Sequence, residues 1–203
     1  MKRLLFIIGC FFIGLDLFGQ SCTHSDLSSV FRFITQVERI NRGTESLDSC
    51  IITITILKKK SQKTLQTIKY SSTFIYENGF HRCAFVRSYS TGKNKKVEVL
   101  DNNYGDLVVA DFNFDGKDDF AVVKESGVSD GPLYSFYIQS KAGRFSYDKY
   151  LSETVTYFPS NINPKKRTLT TYTTAGAIGV SCRIYKLNKS NKWTLVSKKL
   201  LTG

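Results

Sequence analysis

Short segments of β-forming residues, separated by polar turns, recur along the chain after residue 50. The clearest is 51–57, where isoleucine and threonine alternate. Such alternation fits a pleated, half-buried strand. The same pattern predicts strands at 64–70, 73–76, 80–86, 97–100, 107–110, 120–123, 133–139, 144–147, 168–172, 183–187 and 193–196. About twelve short strands with regular turns predict an all-β, antiparallel single domain, propeller-like or sandwich-like.

Two stretches of the chain carry patterns that differ from these regular strand signals. Between residues 27 and 40 the apolar positions fit a helical spacing, while Phe31, Phe33, Thr35 and Val37 alternate as in a strand. We favour a strand there because strands surround it.

Further along the chain, Asn78-Gly79 stands between two β-forming runs. Because both residues accept positive φ, the pair predicts a tight hairpin turn.

The first twenty residues differ from the rest. Lys2 and Arg3 precede an apolar run over 4–14, and Asp16 interrupts the apolar residues beyond it. This pattern is typical of a secretory signal peptide and is too short for a membrane-spanning helix. Residues 1–20 are therefore predicted to be a signal peptide and 21–203 the exported domain, periplasmic or secreted. Residues 7–10 loosely fit a lipoprotein signal, an alternative we disfavour because cleavage there would leave a very short signal.

The chain is basic, with 29 Lys and Arg against 17 Asp and Glu. A net positive charge favours association with acidic partners such as nucleic acid, anionic lipid or anionic polymers. The lysine runs at 58–60, 93–96, 165–167 and 198–199 are scattered, each in or beside a predicted turn. We interpret them as solvated hairpin ends and blunted strand edges. No nucleic-acid-binding motif accompanies the charge, and no membrane insertion is expected after signal removal.

After removal of the signal, four cysteines remain: Cys22, Cys50, Cys83 and Cys182. An even number in an exported chain predicts disulfides, and four cysteines allow three pairings. Without a Cys-x-x-Cys element, a zinc site is not indicated. Of the three pairings we favour Cys22–Cys50 with Cys83–Cys182.

The sharpest motif is the loop from Asp111 to Asp119. Oxygen-bearing side chains occupy its first, third, fifth and ninth positions, Gly116 occupies the sixth, and Lys117 would offer its backbone carbonyl. A hard cation such as Ca²⁺ takes six to eight oxygens, and glycine permits the sharp turn that gathers them. The predicted metal ligands are Asp111, Asn113, Asp115, the Lys117 carbonyl and Asp119. The alternative is an Asx-rich turn that binds nothing.

The surroundings of this loop separate it from an EF-hand. An EF-hand has helices on both sides and a glutamate at position 12, where this chain has Val122. Here near-mirrored β-forming runs flank the loop at 107–110 and 120–123. The loop is therefore predicted to join two antiparallel strands, with Asp119 completing the coordination and the ion in a structural role.

The nonapeptide resembles the Ca²⁺ loop of FG-GAP and integrin-type propeller blades. A wider ordered set is more specific: Gln66, the loop itself, 131–137, 143–145, Leu151 and 161–169. Together, over about residues 50–200, these resemble small periplasmic or lipid-anchored bacterial immunity proteins. The resemblance implies a Ca²⁺-bound, propeller-like β domain that inhibits lysozyme-like effectors of an antibacterial secretion system.

Catalytic motifs are missing from the sequence. Neither His24 nor His81 stands in a metal or nucleophile motif, and nucleotide-binding and hydrolase fingerprints are absent. The spacing of Asp118, Glu125 and Asp130 does not by itself support a pair of glycosidase carboxylates. We therefore expect that the protein is not an enzyme.

The leading hypothesis for the function is an exported Ca²⁺-binding inhibitor or immunity protein whose partner is a cell-wall hydrolase. The alternative is a secreted or surface adhesion module that binds a surface protein or other ligand.

Overall fold

The computed structural model describes residues 20–42, 47–127, 130–176 and 179–202. Within these ranges the chain forms thirteen strands and one π-helical turn, Leu151–Val155. The strands are β1 Gln20–His24, β2 Phe31–Arg42, β3 Leu47–Lys58, β4 Thr64–Tyr76, β5 Val86–Ser88, β6 Leu107–Ala110, β7 Asp119–Glu125, β8 Leu133–Gln139, β9 Phe145–Tyr147, β10 Asn161–Asn163, β11 Thr168–Thr174, β12 Gly179–Leu187 and β13 Trp193–Thr202. The predicted signal peptide lies outside the described residues apart from Gln20. In the described ranges, nothing helical is long and apolar enough to cross a membrane.

The strands form three sheets in chain order, β1 to β4, β5 to β9 and β10 to β13. Neighbouring strands are antiparallel except for β5 and β6, which run parallel. The sheets are open, with each strand paired to its neighbours in sequence. The all-β prediction is therefore confirmed, and a sandwich-like arrangement describes the packing.

The middle sheet is covered on both sides. On one side, Phe33 of β2 packs edge-on against Phe120 of β7, with ring centroids 5.5 Å apart. On the other side, Phe136 of β8 stacks on Phe158 beyond the π-helical turn. Strands buried on both faces read as continuous apolar runs, which explains why all four residues of β6 are buried.

Local alternation predicted most strands correctly. β6 and β8 have the predicted bounds, β9 begins one residue later than predicted, and the predicted segments lie within β3, β7, β11, β12 and β13. The ambiguous stretch is the strand β2, with Phe31, Phe33, Thr35 and Val37 buried on one face. Residues 64–70 and 73–76 join into the single strand β4. The short strands β1, β5 and β10 were not predicted.

The predicted hairpin at Asn78-Gly79 is wrong, because residues 80–85 do not pair back onto β4. Neither Asn78 nor Gly79 has the positive φ that a two-residue hairpin turn requires; Phe80 has it instead, at 58°. The chain turns there with the His81 N–H donating to the Asn78 carbonyl. It then leads away to Cys83, where a disulfide fixes it to β1.

The predicted strand at 97–100 is also wrong; this segment lies in the loop between β5 and β6. The buried guanidinium of Arg87 donates to the carbonyls of Lys95 and Val97, both at 3.0 Å. The Arg87 side chain thus makes the hydrogen bonds to these carbonyls that a neighbouring strand would make in a sheet. Val97 and Leu100 remain exposed, so the segment gains nothing from a pleated position.

The cysteine pairing differs from the prediction. Cys22 bonds Cys83 rather than Cys50, with Cα atoms 5.3 Å apart, which is a normal bridging distance. Cys50 lies in the core on β3 and receives a contact from the Arg39 guanidinium. Cys182 is half-buried on β12 and forms no disulfide. The disulfide is typical of exported proteins.

Beside the disulfide, Cys22, His24 and Asp106 line a small cavity. Burial raises the pKa of Asp106 to about 7, opposed by the Phe80 backbone N–H and the charge of Arg39. The folded state therefore holds this proton more tightly than the unfolded chain. Because of that, the carboxyl lowers stability progressively as the pH rises from its ordinary pKa of 3.8 to about 7.

Asp106→Asn should remove this dependence. We expect the variant to gain stability relative to the wild type between pH 5 and pH 8, on the order of 2–4 kcal/mol. Urea unfolding at several pH values would measure the gain. If the free energy of unfolding depended on pH in the same way for both proteins, the raised pKa of Asp106 would be contradicted.

Candidate functional site

The loop 111–118 connects β6 to β7, whose antiparallel pairing closes with Ala110 opposite Asp119. This confirms that the acidic loop joins two antiparallel strands. Phe114 and Gly116 take positive φ values of 60° and 81° within it. Nothing lies within 4 Å of a Cβ built on Gly116. Backbone conformation, rather than crowding, is thus what favours glycine there.

Asp119, the first residue of β7, lies at the base of the loop and is fully buried. One carboxylate oxygen accepts the N–H groups of Phe112 and Asn113, at 2.9 and 3.3 Å. The other accepts the N–H of Gln139 on β8, at 2.7 Å. Burial raises the pKa of Asp119 to about 7, while these N–H groups act in the opposite direction.

The exposed part of the loop is a tight turn formed by Asp111, Asn113 and Asp115. The two oxygens of Asp111 accept the N–H groups of Asp115 and Gly116, at 3.0 and 2.8 Å. The Asn113 side-chain oxygen accepts the same Asp115 N–H, at 3.0 Å. The structure therefore brings Asp111 and Asn113 to one point of the turn. Burial is also the main cause that raises the pKa of Asp111.

Asp115 lies in the exposed part of the loop. Its carboxylate accepts the Lys117 N–H at 3.0 Å and lies 3.4 Å from the Lys117 ammonium. Both side chains are about one-third exposed, so this ion pair contributes little to stability. Both polar partners of the Asp115 carboxylate thus belong to Lys117, so replacing Asp115 leaves the contacts between the loop and the rest of the fold in place.

Residues far apart in sequence hold the loop in place. Phe112 is buried and packs edge-on against Phe136, with centroids 5.1 Å apart. Phe114 packs on Trp193 of β13 at 6.1 Å. The Ser28 hydroxyl donates to the Asp118 carboxylate, and the Arg167 guanidinium approaches the Asn113 carbonyl at 3.4 Å. Sequence reasoning did not identify these contacts; the alternation of phenylalanine with acidic residues was the signal that could have revealed Phe112 and Phe114.

The chemistry of this loop suits a hard cation. Carboxylate and amide oxygens on Asp111, Asn113, Asp115 and Asp119, with the Lys117 carbonyl, are the donors that Ca²⁺ takes. Each of the four side chains nonetheless accepts at least one backbone N–H group. Among the described residues, no three His, Cys, Asp or Glu side chains converge as a ready-made metal cluster. The ligand set therefore stays a prediction, and the observed hydrogen bonds are also those of an Asx-rich turn.

The other candidate groups are dispersed. His24 is buried, its pKa is lowered by burial, and its ring lies 3.2 Å from the Thr35 hydroxyl. His81 borders an open depression with Tyr76 and Glu77. Asp118 is bonded to Ser28, and Asp130 accepts the Thr174 N–H. These contacts are those of side chains that hold segments in place.

Comparisons with known proteins add one structural likeness. No family model and no curated protein matches the chain. The fold is similar to that of a Xanthomonas protein described as related to a type IV secretion system. The superposition has a TM-score of 0.58, covers 90% of this chain and 87% of the other, and the two sequences are 15% identical. At this identity the likeness concerns the fold.

Proposed function

We propose that the chain is an exported, non-catalytic Ca²⁺-binding protein that inhibits a cell-wall hydrolase, as an immunity protein does. The observation that carries the proposal is the acidic loop between β6 and β7. It stands on two buried strands, Asp111 and Asn113 accept the same backbone N–H at its turn, and Asp119 anchors its base.

The ion would have a structural task. Four aspartates within nine residues, at 111, 115, 118 and 119, repel one another. The neighbouring cations are Lys117 and Arg167, at the distances given above. A bound divalent cation would neutralise the carboxylates and stabilise the loop, and the loop in turn holds Phe114 against Trp193.

The inhibitory task is supported by a resemblance in sequence, to which the structural likeness adds a neighbour related to a secretion system. The ordered set of motifs from Gln66 to residues 161–169 resembles periplasmic immunity proteins that act on lysozyme-like effectors. The structural likeness to a secretion-system-related protein extends over most of both chains. The disulfide between Cys22 and Cys83 agrees with the oxidising compartment in which such a partner would be met.

Calcium binding is tested by calorimetric titration of Ca²⁺ into the chelator-treated exported chain, with thermal melts at each end point. We expect saturable binding and a higher melting temperature, because a ligand at 100 times its Kd stabilises the folded state by about 2.7 kcal/mol. Asp115→Ala should abolish the heat and the shift. Glu98→Ala, which removes an exposed carboxylate elsewhere, should leave both unchanged. No saturable heat in the wild type would leave the loop an Asx-rich turn.

Inhibition is tested with a panel of purified lysozyme-fold hydrolases, including effectors of type IV secretion systems, acting on peptidoglycan. The exported chain alone should release no product. With one member of the panel it should form an equimolar complex on size exclusion and stop turnover. A chain that binds no member and slows none, while still binding Ca²⁺, would refute the inhibitory task and favour an adhesion or ligand-binding module.

A further inference from the structure

The positive charge of the chain is concentrated at one end. The last carboxylate in the sequence is Glu153, and residues 154–203 contain seven lysines and two arginines. This leaves only +3 of the chain's net +12 for residues 1–153. Lys198 and Lys199 lie within β13 rather than beside a turn, so hairpin ends do not account for them. The charge therefore belongs to the third sheet, β10 to β13, together with the turns between its strands.

This sheet packs on the rest of the molecule by one face. Leu169, Tyr185, Leu187 and Trp193 are buried there. The opposite face is defined by the register, since residues directly paired across antiparallel strands point to the same side. Tyr172, Cys182 and Lys199 form one row, and Thr174, Val180 and Leu201 form the next.

This outer face of the third sheet combines apolar and cationic side chains. Tyr172, Val180 and Leu201 are 39–47% exposed, and Lys186 and Lys199 are exposed beside them. On β13, Leu195 and Leu200 pair with the buried Tyr185 and Ser181, so they belong to the opposite side although they are 47% and 61% exposed. All seven lysines after residue 153 are exposed. The outer face thus places a small apolar group beside cationic side chains, with the Asp130 carboxylate at its β11 edge.

We propose that the outer face of the third sheet docks on an anionic lipid surface, and this does not depend on the calcium loop or on a hydrolase partner. Clustered lysines are attracted to anionic headgroups, and exposed aliphatic side chains enter the headgroup boundary. A protein interface fits less well, because such interfaces favour aromatic residues and arginine and are depleted in lysine. Here lysines outnumber arginines seven to two, and Trp193 is turned inward.

The test is flotation of the exported chain with vesicles of phosphatidylglycerol and phosphatidylcholine, against vesicles of phosphatidylcholine alone. We expect binding to the anionic vesicles that is lost at about 0.5 M salt, because exposed charges are then screened. Lys186→Glu with Lys199→Glu should weaken it at least roughly 25-fold, since each lysine near an anionic surface contributes roughly fivefold in affinity.

Matched variants make the test specific to this face. Lys60→Glu with Lys96→Glu changes the net charge equally at exposed positions outside the third sheet, and should weaken vesicle binding far less. Leu201→Ser should weaken it several-fold, whereas Leu100→Ser, at a more exposed position elsewhere, should not.

Equal losses in the two charge-reversal pairs would overturn the proposal, since net charge alone would then explain adsorption. So would equal binding to both kinds of vesicle, or none to either. Binding to an acidic protein that depends on Lys186 and Lys199 without any vesicle binding would also overturn it, and would assign the face to a protein partner.

Discussion

Replacing both Cys22 and Cys83 with serine is expected to destabilise the exported chain by about 4 kcal/mol, from the entropy of closing a long loop. The two residues are 61 positions apart in sequence. Their bond joins the edge strand β1 to the irregular connection after β4. Without it, β1 is held chiefly by its pairing with β2. Urea unfolding of the variant, and of the wild type with and without reductant, would measure the loss.

The matched control is Cys182→Ser, which removes a half-buried thiol that is not part of a disulfide. We expect it to change the free energy of unfolding by less than about 1 kcal/mol. Hydrogen exchange should show that β1 loses its protection first in the double variant. A reduced wild type as stable as the oxidised protein, or an equal loss from Cys182→Ser, would show that the bond does not hold β1 in place.

Strand positions could be predicted because the signal is local. In β3, threonines alternate with the isoleucines at 52, 54 and 56, and those isoleucines are the buried ones. Residues 80–86 and 97–100 also contain β-forming residues. Their conformation is set by partners elsewhere in the chain, the disulfide to Cys22 and the guanidinium of Arg87. No local pattern contains that information.

The same distinction applies to the candidate site. The acidic loop, its glycine and its two flanking strands could be predicted from the sequence, because they are contiguous in it. The contacts that fix the loop come from Ser28, Gln139, Arg167 and Trp193, which only the tertiary fold brings near. The concentration of charge on the third sheet was present in the sequence. It became visible once Lys198 and Lys199 were placed inside a strand instead of a turn.

Asp119→Ala is expected to lower the free energy of unfolding more than Asp115→Ala, the second substitution in the acidic loop. Its carboxylate accepts three backbone N–H groups at a fully buried position. Each buried donor left without a partner costs about 1–3 kcal/mol, so a loss of at least about 3 kcal/mol is expected with no metal present. Asp115→Ala, whose carboxylate is partly exposed, should cost less than about 1 kcal/mol under the same conditions.

The contrast separates the structural role of the loop from its proposed ligand. Chelator-treated proteins measured by urea unfolding should show the large loss for Asp119→Ala alone. With Ca²⁺ added, the wild type should gain stability and Asp115→Ala should not, because that variant keeps the fold and loses a ligand. If Asp119→Ala unfolds as readily as Asp115→Ala in chelator, the buried carboxylate does not secure β6, β7 and β8. If both variants still gain stability from Ca²⁺, the ion binds elsewhere in the chain.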